Sequence, residues 1–178
     1  MRSLHFVLGG ARSGKSRHAE TLIEAAPAPW HYIATAQAFD DEMRERIAIH
    51  RARRKGAVAG PGEVAGAWQT HDAPLDLPGV LQTLPARETV LVDCLTLWLS
   101  NLMLNDHELT PAAERLLAAL AAREGTTVLV SNEVGFGIVP ETPLGRRFRD
   151  EAGFLNQKVA AAADSVTLVV AGLPMKVK

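Results

Sequence analysis

The residues of this chain that are best suited to chemistry lie in the segment Gly9–Ser16. It reads Gly-Gly-Ala-Arg-Ser-Gly-Lys-Ser and fits the phosphate-binding pattern G-x-x-x-x-G-K-[ST] at every fixed position. A glycine-rich turn between a strand and a helix points consecutive backbone N–H groups into one concavity, which suits phosphate. We expect Lys15 to reach the β/γ-phosphates and Ser16 to bind Mg²⁺. The alternative is a chance glycine turn with a solvated lysine, and the flanking strand and helix patterns favour phosphate binding.

A carboxylate ends a second apolar run, Thr89–Asp93. A continuous apolar run is typical of a buried parallel strand, which places Asp93 at the carboxyl tip. In phosphate-loop proteins an acidic residue at that position supports the Mg²⁺ or its water shell. An aspartate after a strand is more often a helix cap or a turn residue. Combined with the pattern at Gly9–Ser16, the metal role is favoured.

His50 has two interpretations. Met43, Ile47 and His50 share one face of a helical pattern that begins at Asp40. The histidine is then a core or boundary residue with a satisfied hydrogen bond, or a nucleophile that attacks phosphorus and forms a covalent intermediate. Nearby arginines would disfavour imidazolium and balance phosphate charge, although the same run could be a solvated basic face. These arginines are Arg46, Arg51, Arg53 and Arg54. Spacing alone leaves both interpretations open.

Polar residues also follow two other strand patterns. Thr35 comes directly after Trp30–Ala34, and Asn132 and Glu133 come shortly after Thr126–Val130. Ligands of open parallel sheets bind at the carboxyl ends of the strands, so we expect Thr35 to face a nucleotide. Asn132 and Glu133 either touch substrate or serve as turn residues. Arginines near the start of the next helical pattern oppose its dipole, which pairing with phosphate or carboxylate would offset; they are Arg146, Arg147 and Arg149.

The candidate site residues come together only if their strands end at the same edge of one sheet. The alternation of strand and helix patterns along the chain predicts such a sheet. Strand patterns alternate with helical ones, which indicates an α/β fold with helices on both faces of a mainly parallel sheet. Trp68–Pro78 is too irregular to assign. The other strands are predicted at Leu4–Leu8 and Ser165–Ala171, and the helices at Arg17–Ala26, from Asp40, at Leu77–Leu84, at Thr96–Leu104, at Thr110–Arg123 with Thr110 as cap and Pro111 in the first position, and at Leu144–Ala163.

Length and composition indicate one domain. The 178 residues show no shift in composition, so we expect a single nucleotide-binding domain over 1–178 with a glycine-rich surface loop at about 55–67. The net charge of −1 and the aromatic content of 5% argue against a nucleic-acid partner. Cys94 is the only cysteine, which excludes an intramolecular disulfide and indicates a small buried residue. Without a signal-peptide pattern or a transmembrane run, we expect a cytoplasmic protein with no membrane insertion.

Several blocks in one order resemble the bifunctional adenosylcobinamide kinase / adenosylcobinamide-phosphate guanylyltransferase family of cobalamin biosynthesis. The phosphate loop is shared with many families, whereas the other blocks are more specific. The resemblance covers nearly the whole chain. The blocks are Gly9–Ser16, Tyr32-Ile-Ala-Thr-Ala-Gln37, Asp40-Asp-Glu-Met43 with Arg46, Ile47 and His50, then Asn132-Glu-Val-Gly-x-Gly-Ile-Val-Pro140, Phe148-Arg-Asp150 and Asn156-Gln157.

The resemblance implies two reactions. A nucleoside triphosphate, ATP or GTP, phosphorylates the hydroxyl of the aminopropanol side chain of adenosylcobinamide. GTP then donates GMP to a histidine with loss of pyrophosphate, and the GMP passes to the new phosphate to give adenosylcobinamide-GDP. His50 matches the guanylylated histidine of the family. Members of the family are similar in fold to RecA-type phosphate-loop proteins and form trimers, so the resemblance also implies a homotrimer.

The resemblance also implies the site residues and their departures. Lys15 and His50 are expected to be catalytic, and Ser16 and Asp93 to bind Mg²⁺. Asp72 stands where the family is expected to have a glutamate, so its nucleotide contact would reach less far, and Gly56–Gly66 is an insertion relative to many members. The expected nucleotide contacts are Gly9, Gly10, Ala11, Arg12, Ser13, Gly14, Lys15, Ser16, Ala34, Thr35, Ala36, Arg51, Ala52, Arg53, Arg54, Asp72 and Asp93.

Two other functions remain open on the sequence. A simple small-molecule kinase would move the γ-phosphoryl group directly to a substrate hydroxyl, with His50 as a structural residue and no covalent intermediate. A RecA-type binding or assembly module would hydrolyse nucleotide slowly and bind DNA or protein, which the near-neutral charge and the scarce aromatics disfavour.

Overall fold

A computed structural model describes residues 2–37 and 68–178 of the chain. They form a seven-stranded sheet with the order β3-β2-β4-β5-β1-β6-β7. All neighbouring pairs are parallel except β6 and β7, which are antiparallel. The strands are β1 (Ser3–Gly9), β2 (Trp30–Ala34), β3 (Trp68–Asp72), β4 (Thr89–Asp93), β5 (Thr126–Asn132), β6 (Ser165–Val170) and β7 (Leu173–Lys176).

Helices cover both faces of the sheet, as the sequence predicts. One face packs under α1 through Ala19 and Ile23, and the opposite face packs under the other described helices. Because both faces are covered, the central strand β4 is buried along Thr89–Val92 and needs a continuous apolar run. The described helices are α1 (Lys15–Glu24), α2 (Leu77–Thr83), α3 (Leu95–Leu104), α4 (Leu109–Ala121) and α5 (Pro143–Ala162).

The start of α4 differs from the prediction. We expected Thr110 as the cap with Pro111 in the first position, but the helix begins at Leu109 after Glu108, whose side chain makes no capping hydrogen bond. Pro111 therefore occupies the third helical position. The first turn of a helix has backbone N–H groups without intrahelical partners, so proline is tolerated there and does not identify the first residue.

Both outer strands of the sheet escaped prediction. β3 and β7 lie at the two edges, and their side chains are mostly exposed. An edge strand with exposed side chains on both faces carries no alternating apolar pattern. The other predicted elements that lie within residues 2–37 and 68–178 agree with the structure within about two residues at their ends, which is the usual uncertainty of element boundaries.

Candidate functional site

The turn between β1 and α1 has the conformation that a phosphate loop requires. Gly14 precedes the helix in a left-handed conformation, with φ of 94°, and Arg12 also has a positive φ of 56°. The turn is closed by a hydrogen bond from the Ser13 N–H to the Gly10 carbonyl at 3.3 Å. A Cβ on Gly14 would also lie 3.2 Å from the Cα of Gly172. Glycine at this position is therefore required by both backbone conformation and space.

The two glycines that open the turn differ in their surroundings. A Cβ on Gly9 would lie 2.4 Å from the Ser13 Oγ and 2.7 Å from the Val169 carbonyl oxygen. Among residues 2–37 and 68–178, a Cβ on Gly10 would meet nothing within 4 Å. Gly9 is thus needed for the packing of the loop against β6, whereas Gly10 borders open space.

The polar side chains of the loop are not fully paired within the protein. The Lys15 ammonium donates a hydrogen bond to the Gly10 carbonyl at 3.0 Å, so it folds back over the turn. The Ser13 hydroxyl is buried and has no hydrogen-bond partner among the residues that the structure describes. A buried polar group normally has a partner, because leaving it unpaired costs free energy. An unpaired hydroxyl, a lysine over the turn and open space at Gly10 fit an anionic phosphate bound at this loop.

Strand register gathers three of the predicted residues at the carboxyl edge of the sheet. Ala34 is paired with Asp93 of β4 on one side and with Asp72 of β3 on the other. Across the sheet, Gly9 is paired with Asn132, and its carbonyl accepts a hydrogen bond from the Glu133 N–H at 3.1 Å. The edge where ligands of parallel sheets bind therefore carries the phosphate loop and both carboxylates.

Thr35 is turned into the protein. Its hydroxyl donates to the Cys94 carbonyl at 2.6 Å and accepts from the Cys94 N–H at 2.9 Å, and the residue is fully buried. Its N–H bonds the Asp93 carbonyl at 3.4 Å. The Thr35 hydroxyl and N–H are thus both bonded within the protein, and the nucleotide contacts expected of Thr35 and Ala36 stay predictions.

Cys94 is a small buried residue, in agreement with the sequence. Burial raises the pKa of its thiol to about 12, the negative charge of Asp93 adds to the effect, and the positive charge of Lys15 opposes it. The thiol is therefore protonated at neutral pH. Electrostatic effects of both Lys15 and Asp93 on one thiol indicate that these two predicted site residues lie near it.

Sequence reasoning missed several polar residues that line this edge from within α3 and α5. The Asn101 amide donates to the Thr35 carbonyl at 2.7 Å. The Thr96 hydroxyl accepts from the Asn132 N–H at 2.6 Å and shares a hydrogen bond with Ser131. The Asn156 amide donates to the Asn132 carbonyl at 3.4 Å. A signal was present for Asn101, which interrupts the apolar run Leu95–Leu104.

The remaining candidates at this edge have local partners. Glu133 accepts a hydrogen bond from the Gly135 N–H at 2.6 Å, which is the contact of a turn residue. Arg146 donates to the Pro140 and Glu141 carbonyls at 3.0 and 2.7 Å. Arg149 pairs with the neighbouring Asp150 at 3.1 Å. Carbonyls and a carboxylate therefore offset the helix dipole at these two arginines.

Other predictions fall outside the described residues. These are His50 with its arginines, the helix from Asp40 and the glycine-rich loop at about 55–67, together with the nucleotide contacts of Arg51, Ala52, Arg53 and Arg54. Within residues 2–37 and 68–178, no three His, Cys, Asp or Glu side chains are grouped to hold a metal ion. Mg²⁺ beside a nucleotide uses one or two protein ligands and completes its shell with phosphates and water. In the same ranges no helix has the length and hydropathy needed to cross a membrane.

Comparisons with known proteins give one consistent result. A family model described as cobinamide kinase / cobinamide phosphate guanyltransferase matches residues 5–177. The chain is 49% identical over 181 residues to the bifunctional adenosylcobalamin biosynthesis protein CobP of Pseudomonas aeruginosa, covering 100% of this chain and 98% of that protein. It is 43% identical over 188 residues to the bifunctional adenosylcobalamin biosynthesis protein CobU of Salmonella typhimurium, covering 97% and 98% of the two chains.

A solved structure supports the fold. An ATPase from the type III secretion system of pathogenic bacteria superimposes with a TM-score of 0.54 at 10% identity, covering 98% of this chain and 56% of that one. At such low identity the likeness concerns the fold alone. It confirms the phosphate-loop, RecA-like α/β fold that the sequence predicts.

Proposed function

The chain belongs to the cobinamide kinase / cobinamide phosphate guanyltransferase family, whose enzymes act as kinase and as nucleotidyltransferase. From this premise we propose that one site at the carboxyl edge of its sheet serves both reactions. The site is built around Gly9–Ser16. The observation that carries the proposal is a Ser13 hydroxyl that is unpaired among the described residues, in a loop whose Gly10 has none of those residues near its Cβ position. Such a loop is complete only with an anion in it.

In the kinase step, the loop holds the phosphates of ATP or GTP. Backbone N–H groups between Gly10 and Ser16 cradle the phosphates, and Lys15 moves from the Gly10 carbonyl to the β/γ oxygens. The hydroxyl of the adenosylcobinamide side chain attacks the γ-phosphorus, and the nucleoside diphosphate leaves. The positive charge of Lys15 stabilises the charge that develops on the transferred group.

In the guanylyl step, His50 is the nucleophile. An imidazole nitrogen attacks the α-phosphorus of GTP, pyrophosphate leaves, and a phosphoramidate forms on the protein. The phosphate of adenosylcobinamide phosphate then attacks the same phosphorus and releases the histidine. Arg51, Ala52, Arg53 and Arg54 follow His50 in the sequence, and their segment is proposed to contact the nucleotide, as is Asp72 at the end of β3.

Mg²⁺ is proposed as the cofactor. Ser16 and Asp93 would hold it, since Ser16 follows Lys15 in α1 and Asp93 ends the central strand beside the loop. Bound there, the ion would neutralise charge on the phosphates and orient them. A homotrimer in the cytoplasm, acting on adenosylcobinamide and its phosphate, completes the proposal.

Labelling with GTP tests the guanylyl step. The purified protein is incubated with Mg²⁺ and GTP labelled at the α-phosphate, denatured, and treated with acid or base before peptide mapping. We expect label on His50 that is lost in acid and retained in base, as for a phosphoramidate. His50→Ala should abolish labelling, whereas the matched control His18→Ala should retain it. No label on the wild-type protein, with γ-phosphoryl transfer to cobinamide intact, would reduce the enzyme to a simple kinase.

A further inference from the structure

Asn101 stands out as a polar residue inside an apolar helix. It lies in α3, whose other residues are largely buried and apolar, and it is itself only 2% exposed. We propose that Asn101 is a positioning residue of the nucleotide site, which acts through Thr35 to fix the ends of β2 and β4. This inference rests on the proposed function of the edge where those strands end.

The contacts of Asn101 join two separate segments. Its side-chain amide donates to the Thr35 carbonyl at 2.7 Å and to the Pro74 carbonyl at 2.9 Å. Both hydrogens of the amide are therefore used; Thr35 follows β2 directly, and Pro74 lies two residues after the end of β3. One side chain thus ties together the exits of two neighbouring strands.

Thr35 passes this restraint to β4. Its hydroxyl is bonded to both backbone groups of Cys94, and its N–H is bonded to the Asp93 carbonyl. Cys94 is also the residue from which α3 begins. Thr35 is therefore held at two points of α3, its start and Asn101, which lies about two turns further along. The resulting closed set of hydrogen bonds leaves the backbone at Asp93 little freedom to move.

An interpretation of Asn101 as a purely structural residue makes a different prediction. The nearby turn after β3 is also fastened by Trp98, whose indole N–H donates to the Leu75 carbonyl at 2.8 Å. Trp98 lies on the same helix, is 1% exposed, and uses its one side-chain donor on Leu75 and not on Thr35. If Asn101 only secured this turn, loss of either hydrogen bond should affect the nucleotide site to the same small extent.

The test compares Asn101→Leu and Asn101→Ala with Trp98→Phe in the full-length protein. Asn101→Leu retains the approximate shape of the side chain and removes both donors, and Asn101→Ala removes them without adding bulk, so one variant remains testable if the other fails to fold. Binding of GDP is titrated at saturating Mg²⁺, and the Mg²⁺ concentration for half-maximal binding is measured as well. We expect both Asn101 variants to need about tenfold more Mg²⁺, as for residues that orient a metal ligand. For Trp98→Phe this Mg²⁺ concentration should stay within about twofold of the wild-type value, even if its Tm falls as much as that of the Asn101 variants.

Hydrogen exchange gives a readout that does not depend on the reaction. The Asn101 variants should speed exchange at Thr35 and Cys94, and Trp98→Phe should not. Equal effects of the Asn101 and Trp98 variants on both binding and exchange would overturn the inference. Failure of the proposed function would appear instead as a wild-type protein that does not become labelled by GTP.

Discussion

Two parts of the candidate site, here called its walls, differ in how their polar groups are paired: the phosphate loop, and the ends of β2 and β4. In the phosphate loop, counting contacts within the described part of the chain, the Ser13 hydroxyl has no partner and Lys15 bonds a carbonyl of its own turn. In the facing wall, at the ends of β2 and β4, the Thr35 hydroxyl makes two hydrogen bonds and the Asn101 amide makes two more. Unpaired groups are available to a ligand, whereas paired groups hold a fixed geometry. The contrast separates the part of the site that binds from the part that positions.

The largest expected effect comes from the loop. Lys15→Ala should lower both phosphoryl and guanylyl transfer by about a hundredfold or more, because it removes a charge that stabilises the transition state. The unfolding free energy should hardly change, since the lysine bonds only the Gly10 carbonyl. Turnover assays and thermal unfolding check the two halves of the prediction. Lys158→Ala, an exposed lysine of α5, is the control; comparable losses in both variants would contradict a specific role for Lys15.

The two opening glycines test packing within the loop. Gly9→Ala should lower the unfolding free energy by about 3 kcal/mol, because its Cβ would press on the Ser13 Oγ and the Val169 carbonyl. Gly10→Ala should leave stability within about 0.5 kcal/mol of the wild type, because nothing lies near its Cβ. Urea unfolding of both variants makes the comparison. Equal stability of the pair would mean that the loop adapts to a side chain at Gly9.

Removing one buried hydroxyl from each wall compares their contributions to stability and binding. Thr35→Val should lower the unfolding free energy by about 2 kcal/mol, since it leaves the buried Cys94 N–H unpaired. Ser13→Ala removes a hydroxyl that has no partner, so stability should not fall, although nucleotide binding should weaken. Denaturant unfolding and GDP titration measure both properties. A stability loss for Ser13→Ala as large as that for Thr35→Val would remove the distinction between the walls.

The binding wall could be predicted from the sequence, and the positioning wall could not. Gly9–Ser16 is recognisable because each fixed residue type is demanded by local backbone and charge. Asp93 follows a buried run, so its position at the edge is also a local inference. Asn101, by contrast, forms hydrogen bonds with residues 66 and 27 positions away, and no short-range sequence pattern predicts such partners.

The edge strands show the same limit in the fold. Central strands such as β4 carry an apolar run because both faces are buried, and the sequence predicts them. β3 has only half-buried and exposed residues, and β7 is exposed throughout. Their pairing depends on backbone hydrogen bonds with neighbours that are already in place. Such strands are specified by tertiary context more than by their own residues.

A third polar cluster, away from the phosphate loop, tests whether paired groups respond to pH. His31 lies between His71, at 3.0 Å from Nδ1 to Nε2, and the Glu88 carboxylate, at 2.5 Å from its Nε2. Burial lowers the pKa of His71 below its usual 6.5, the charge of His31 lowers it further, and Asp72 opposes both. Folding therefore favours the neutral form of His71. In that form its imidazole joins β3 to β2 through the contact with His31.

The sign of the pH effect follows from linkage. A base with a lowered pKa binds fewer protons when folded than when unfolded, so stability falls as the pH drops from about 7.5 towards 5.5. His71→Gln retains an amide that can hydrogen-bond in place of the imidazole and cannot titrate, so it should flatten this fall. Burial also lowers the pKa of His5, which lies in β1, so His5→Asn should remove a separate part of the fall in unfolding free energy at low pH. Urea unfolding across this pH interval measures both. A fall as steep in His71→Gln as in the wild type would show that the β2–β3 pair does not depend on the charge of this histidine.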